Sequence, residues 1–423
     1  MGGGGNNKGG MEMASITVER QKPNTKWVNN HKTKKENHHP KQKLIVTKQS
    51  KHSIWKDVLW VFILTRILIY AISLGSYSFL HQELPSDHQL WHNVQPSQEK
   101  FLRIWEKWDS IHYLSIMENG YSYFKPAAMN TAFFPLYPIA GYTLNLIIQN
   151  RTLALLLVSN LTFLFALFFI YKLVRLDETQ DTTRRTIFYL SIFPFSLFFA
   201  GAYTESLFLL NLAATIYYIR TAQFGKATLF GFLLTATRLV GSAALIAVFI
   251  EYQSYRQEIN SKKNWQILLF GIMGLGLVFY MLYTYLSFGN FFSIFESSQN
   301  GWNRQLSWPW ESLFSTLGRM QKGSAFPIFP FNLVLSFISI ALCIVTFKKL
   351  RISYAWLSTL LLLIPLSSGT LKSFPRYMIV IFPLFILLGR WGQNRYVDMA
   401  ITAISLIYLG MFTTLYSNWL YIG

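Results

Sequence analysis

The chain has 423 residues, of which 52% are hydrophobic, 17% aromatic and 13% charged, with a mean hydropathy of +0.28 and a net charge of +19. A soluble protein carries roughly 25% charged residues, so half that proportion, with repeated apolar runs of about 20 residues, excludes an ordinary soluble domain and predicts an all-α polytopic membrane protein. The one cysteine, Cys343, lies inside an apolar run, so disulfides and cysteine metal clusters are excluded, and all eight histidines fall at or before His112.

Residues 1–52 hold eleven lysines and arginines against three glutamates. With almost no apolar periodicity, this stretch reads as a disordered basic cytoplasmic tail that touches anionic lipid. The remaining positive excess lies in short loops between apolar segments, which follows the positive-inside rule and removes the need for a nucleic-acid partner. No cleavable signal peptide is evident, since the first apolar run begins near Trp55.

Residues 55–80 form the first span, with Arg66 well inside it. An intramembrane arginine is costly and is expected to face the interior, paired with an acid or an anion. An external loop over about 81–130 follows and contains FLRIWEKWDSIHYLSIMENGY at 101–121. Read as one helix, Phe101, Ile104, Trp105, Trp108 and Ile111 share a face, while Glu106, Asp109 and Tyr113 share another. Such an amphipathic helix would lie on the membrane surface and hold a carboxylate at the lipid–water boundary. The alternative is a linker whose acids are merely solvated.

Residues 130–150 are apolar but broken by Pro135, Pro138 and Gly141, and the later basic loops at 172–185 and 220–226, which fall inside only if this segment does not span, favour a re-entrant or peripheral segment. Spans follow at 153–171, 186–203 and 204–219, which put GAYTES (201–206) outside. Residues 225–251 are long for one span and short for two. Two helices meeting near Thr237-Arg238 would place Arg238 at the outer face, whereas one long helix would invert the later topology. Further spans, a second external loop at about 289–325 with Trp302, Trp308, Trp310, Arg304, Arg319 and Lys322, and the outer stretch SSGTLKSFPRYM complete about eleven transmembrane helices. The N-terminus falls inside, the C-terminus outside, and residues 53–423 form a single transmembrane domain.

This topology gathers Asp109, His112, Glu205, Arg238, Lys372 and Arg376 at the outer surface. A carboxylate there can act as general base for a hydroxyl nucleophile, and guanidinium groups suit a phosphate because they stay charged and bind two oxygens at once. Together they describe glycosyl transfer from a polyprenyl-phosphate sugar. Asp109 and Glu205 are the only oxygen ligands brought to this face, so no divalent metal or other cofactor is expected. A glycolipid transporter or flippase also uses broken helices and intramembrane charge, and a non-catalytic subunit of a glycosylation complex would suit the tryptophan-rich second loop.

Several motifs occur in a distinctive order: Trp108-Asp109, HYLSIMENGY ending at Tyr121, FFPLYP at 133–138, GAYTES, TRLVG at 237–241 and FPRY at 374–377. In this the chain, from about Trp55 to its end, resembles the PIG-V type mannosyltransferases, which include GPI mannosyltransferase II and bacterial relatives. The resemblance implies a GT-C fold and an inverting transfer, typically of mannose, from a dolichyl- or other polyprenyl-phosphate donor to a glycolipid or other extracytoplasmic acceptor. It implies Asp109 as the catalytic acid/base, facing the periplasm or lumen, and marks Glu205, Arg238 and Arg376 as site residues. Trp108, His112, Tyr113, Lys372 and Tyr377 are the further candidates for substrate binding. The compartment would be the plasma membrane for a bacterial chain and the ER membrane for a eukaryotic one. The tail to His52 has no counterpart in the family.

Overall fold

A computed structural model of the protein describes residues 51–80, 94–122, 130–259, 265–302, 304–321, 328–420 and 422. Nearly all of the basic tail, and parts of the two loops expected to be external, lie outside the described residues. Within them are seventeen α-helices, two short 3-10 helices and no strand.

In chain order, α1 (Lys51–Leu80) is followed by α2 (Lys100–Arg103), α3 (Asp109–Asn119), α4 (Leu136–Ile148) and α5 (Arg151–Val174). Next come α6 (Gln180–Ile192), α7 (Glu205–Arg220), α8 (Phe224–Thr237), α9 (Val240–Glu258) and α10 (Leu268–Phe288). The last seven are α11 (Ser293–Trp302), α12 (Pro309–Gln321), α13 (Ile328–Lys349), α14 (Ile352–Leu366), α15 (Phe374–Met378), α16 (Phe382–Trp391) and α17 (Arg395–Ser417).

Five helical segments, in α1, α5, α10, α13 and α17, are 22 to 27 residues long and apolar enough to cross a membrane. At about 1.5 Å per residue they reach roughly 33–40 Å, against a hydrocarbon core of about 30 Å. The protein is therefore a multi-pass membrane protein by the length and composition of these helices. The other crossings among the expected eleven fall on helices of 10 to 19 residues. Proline accounts for part of this. The expected span at 186–203 ends its helix before Pro194, which cannot donate to the ladder, and continues as a 3-10 turn, Ser196–Phe199. Helix α4 has 13 residues, about 20 Å, too few to cross the core alone.

The stretch 225–251 resolves into two helices, α8 and α9, with Arg238 between them in extended backbone (φ −158°, ψ 150°). The two helices then pack tightly at the break: a Cβ on Gly241 would stand 2.4 Å from the Leu234 carbonyl oxygen. Close backbone approach through small residues is how helices associate in lipid, where apolar packing gains little from leaving water. Gly276 on α10 repeats the device, its Cβ position lying 2.3 Å from the Phe232 carbonyl oxygen of α8.

The single amphipathic helix expected over 101–121 is not formed. Helix α2 ends at Arg103, the chain turns, and α3 starts afresh at Asp109. Ile104 and Trp105 are fully buried within the protein rather than facing lipid. Glu106 is buried away from Asp109 and accepts hydrogen bonds from Ser97 and Thr152. Satisfying that carboxylate at the top of α5 is incompatible with one continuous helix. Arg66 also departs from expectation: it is 5% exposed, none of its guanidinium nitrogens has a hydrogen-bond partner among the described residues, and it lies over the Phe163 ring at 4.7 Å. A cation–π contact takes the place of the expected anion.

Charge sorts to the two ends of the bundle. At one end Arg220 of α7 donates to Asp177 (2.7 Å) and pairs with Glu251 of α9 (3.4 Å), and Arg351 before α14 pairs with Glu251 (3.0 Å) and Glu258 (2.8 Å), tying α7, α9 and α14 together. Glu205 opens the 16-residue α7 and Arg220 closes it, about 22 Å apart along the helix. The other end carries the site.

Candidate functional site

Two short turns with unusual backbone aim the key side chains. Trp108 precedes α3 with φ 56° and ψ −124°, and Ser373 precedes α15 with φ 60° and ψ 12°. Neither is a glycine, so each conformation costs on the order of 1–3 kcal/mol and persists only where the surroundings impose it. Around Trp108 they do. The Lys107 carbonyl accepts from Ser110 Oγ (2.7 Å) and Tyr203 Oη (2.9 Å), and Lys107 Nζ, fully buried, donates to the Ser417 carbonyl (2.6 Å). The last turn of α17 and the loop before α7 thus clamp the residue from which α3 springs, and Asp109 becomes its first residue.

From α15, Arg376 reaches two carboxylates. Its Nη1 is 2.5 Å from Asp109 Oδ2, while Nε and Nη2 are each 2.9 Å from Glu205 Oε1. Arg238 Nη1 is also 2.9 Å from Glu205 Oε1. Glu205 is fully buried at the start of α7, where the helix dipole favours its charge. Its Oε2 has no hydrogen-bond partner among the described residues. Arg376 lies over the rings of Phe198 (4.9 Å) and Tyr203 (4.7 Å), which fix its plane.

These groups border a cavity of about 630 Å³. Asp109, Tyr113, Arg238, Arg376 and Tyr377 all line it, the Asp109 side chain being 23% exposed and Arg376 only 6%. Much of the remaining wall is apolar, including Phe134, Leu239, Ile294 and Leu363. Four sequence candidates take other positions. Glu205 stands behind the wall, holding the arginines. Trp108 packs against Trp419 (5.9 Å), and His112 stacks on Phe133 (4.7 Å) beside Trp302 (5.5 Å). Lys372 presents its backbone carbonyl to the site, and its side chain is exposed outside the lining. Trp108, His112 and Lys372 are thus not among the residues that line this cavity, because their side chains are directed to packing or to the surface.

One lining residue of importance was not among the candidates. Arg304 donates to Tyr377 Oη through Nη1 and to the Lys372 carbonyl (3.2 Å) through Nη2. Tyr377 therefore has a guanidinium on either side, Arg238 at 5.2 Å and Arg304 at 5.3 Å from its ring centre. The signal available in the sequence was an arginine beside a tryptophan in an outer loop, which by itself selects nothing.

The electrostatics follow from this packing. Burial pushes the Asp109 carboxyl up, but Arg376, with smaller help from His112 and Arg304, outweighs it and holds Asp109 below its ordinary value of 3.8. Burial lowers His112 from 6.5, and Asp109 only partly restores it. Burial raises Tyr377, yet Arg304, Arg238 and Arg376 bring its hydroxyl below 10.0. At neutral pH the cavity wall thus carries an ionised carboxylate, a neutral imidazole behind it and three guanidinium groups.

Compared with protein families and with curated proteins, the chain matches no family model and no curated protein at significant similarity. The chemistry must be argued from the cavity. A carboxylate at its wall can accept a proton, and the guanidiniums can hold an anion. Asp109 and Glu205 are both engaged by Arg376, and among the described residues no group of three His, Cys, Asp or Glu side chains converges to hold a metal ion.

Proposed function

We propose that the protein is a membrane glycosyltransferase of the PIG-V, GPI mannosyltransferase II-like kind, with a GT-C fold. It moves a sugar, mannose, from a polyprenyl-phosphate donor to a hydroxyl of a lipid-linked or other extracytoplasmic acceptor. The observation that supports this is Asp109 at the wall of a mostly apolar cavity whose other polar groups include three guanidiniums. In the step, the acceptor hydroxyl gives its proton to the Asp109 carboxylate, and its oxygen forms the new bond to the anomeric carbon. The bond from that carbon to the phosphate oxygen breaks, and its electron pair leaves with the lipid phosphate. Attack opposite the leaving group inverts the anomeric configuration.

Arg376 does two things in this scheme. It keeps Asp109 ionised, and through Glu205 it is tied to Arg238, so the base and the two guanidiniums around Glu205 move as one unit. A base held below pH 3.8 is weak, so proton transfer runs late, after the forming bond has acidified the hydroxyl. The ordered motifs and the segregation of two charged ends support an outward-facing site in the plasma or ER membrane.

The break between α8 and α9 at Arg238 supports a second reading, a glycolipid transporter, since discontinuous helices beside a cavity are also how transporters hold substrates. One experiment separates the two. Purified protein is given polyprenyl-phosphate mannose, radiolabelled in the sugar, with total membrane lipids of the host. A new labelled glycolipid supports transfer. Donor that stays chemically intact but changes leaflet in vesicles supports transport and removes the enzyme reading.

A further inference from the structure

The two arginines expected to receive the donor phosphate are already committed. Arg376 spans Asp109 and Glu205, and Arg238 pairs with Glu205. Drawing Arg238 to a phosphate would take away one of the two guanidiniums that hold the fully buried Glu205, and drawing Arg376 would do the same and also unpair Asp109, at a cost in each case. Arg304 differs. It lines the same cavity, and no carboxylate pairs with it among the described residues. Two carboxylates face three guanidiniums at this wall, and the excess positive charge resides on Arg304.

The backbone holds it there. The Arg304 N–H donates to the Ser298 carbonyl (3.2 Å), and Ser307 N–H donates to the Ser367 carbonyl (3.0 Å), so residues 304–307 lie along the end of α14. Gly369 turns the chain there in left-handed backbone (φ +73°), with Gln305 and Ser307 in ordinary contact distance, 3.7 Å from its Cβ position. More positive charge is close by: Arg319 on α12 donates to Thr370 Oγ1 (3.4 Å), which accepts from the Lys372 N–H (3.2 Å). Beside Arg304 the wall turns apolar, with Leu306, 95% exposed, and Leu363 and Ile364 of α14. A phosphate group carrying an aliphatic chain fits that order of charge then hydrocarbon.

We infer that Arg304, with Tyr377 Oη beside it, is the subsite for the phosphate of a prenyl-linked donor, and that Arg238 and Arg376 serve instead to position Glu205 and Asp109. This rests on the glycosyltransferase reading for the identity of the ligand. Its geometry makes Arg304 a binding residue whose loss weakens the ligand without unpairing a buried acid. The phosphate lies on the side of the cavity formed by 304–307 and α15, and the acceptor enters toward Asp109.

The test is equilibrium binding of decaprenyl monophosphate, without sugar, to full-length protein in phosphatidylcholine nanodiscs. Wild type is expected to prefer the phosphate to the neutral alcohol decaprenol. Arg304→Gln is expected to weaken phosphate binding on the order of tenfold to a hundredfold, the range of a charged hydrogen bond, and to leave decaprenol binding unchanged. Arg304→Lys, which keeps the charge, is expected to recover part of the loss. Equal phosphate binding by wild type and Arg304→Gln, with both folded by thermal melting, overturns the assignment. Displacement by phosphatidylglycerol or inorganic phosphate as effective as by the prenyl phosphate also overturns it, since the site would then take any lipid headgroup or free phosphate. Arg304-dependent binding with no sugar transfer would retain the subsite and remove the enzyme reading, so the two failures are told apart.

Discussion

Asp109 and Arg376, 267 residues apart in the chain, meet as a 2.5 Å ion pair at the wall of the cavity. The same guanidinium holds Glu205, so the acid that faces the cavity and the acid that does not share one cation. This arrangement sets what each substitution does.

Asp109→Asn keeps the shape of the side chain and its contact with Arg376 but removes the base. Sugar transfer is expected to fall by about 10²–10⁴-fold, the contribution of a positioned general base. Melting in detergent should stay close to wild type, since Asp109 is partly exposed. Turnover within tenfold of wild type would remove Asp109 from the chemistry.

Glu205→Gln leaves Arg238 and Arg376 without their shared carboxylate at a fully buried position. Unpairing a buried charge costs about 3–5 kcal/mol, so a drop in melting temperature well beyond that of Asp109→Asn is expected. Adding Arg238→Met to Glu205→Gln should return part of it, because one of the stranded cations is gone. Thermal unfolding of the three proteins measures this directly.

The pH dependence has a definite sign. Asp109 sits below its ordinary 3.8 in the folded protein, so its stabilising contribution is complete above that value and is lost as pH falls through the lower, folded value. The acid limb of the transfer rate is therefore expected below pH 4, with no Asp109 titration between pH 5 and 7. Arg376→Lys, with a poorer fit to both carboxylates, should move that limb upward in whatever rate remains. A wild-type limb centred near pH 6 would assign the base to another group.

At Gly241 a methyl group would meet the Leu234 carbonyl oxygen at 2.4 Å, which is backbone and cannot rotate away. Gly241→Ala should cost about 1–3 kcal/mol, as overpacking does. It should also separate α8 from α9 and displace Arg238, so activity falls while Asp109 is untouched. Gly225→Ala, where nothing lies within 4 Å, is the matched control and should be silent.

Ser373 occupies left-handed backbone just before Arg376. Ser373→Gly should be near neutral, since the relief of strain offsets the entropy of glycine, each about 1 kcal/mol. Ser373→Val should destabilise by on the order of 1–3 kcal/mol and lower activity by misdirecting Arg376. Equal stability of the two variants would mean the turn is not constrained as described.

Much of the site was legible residue by residue. Asp109, Tyr113, Arg238, Arg376 and Tyr377 were selected from charge and motif in an apolar chain and do border one cavity. Trp108, His112 and Lys372 belong to the same motifs, but a motif does not say which way a side chain turns. Trp108 was expected on the apolar face of a helix and instead forms the strained turn that starts one. Arg304 carried no local pattern, and its importance comes from having no acid paired with it among the described residues, a property of neighbours brought from α3, α7 and α15.

From the sequence alone came what depends on composition and local chemistry: a helical, multi-pass membrane protein and the residue types of the candidate site, with 225–251 compatible with one helix or two. Apolar content and span length are set by transfer into lipid, which acts on each segment separately. The tertiary structure decided which carboxylate meets which guanidinium, because several arginines could have paired with Asp109 and Glu205. Only packing, which brings α15 against α3 and α7 and turns Glu106 toward α5, chooses among pairings that are electrostatically alike.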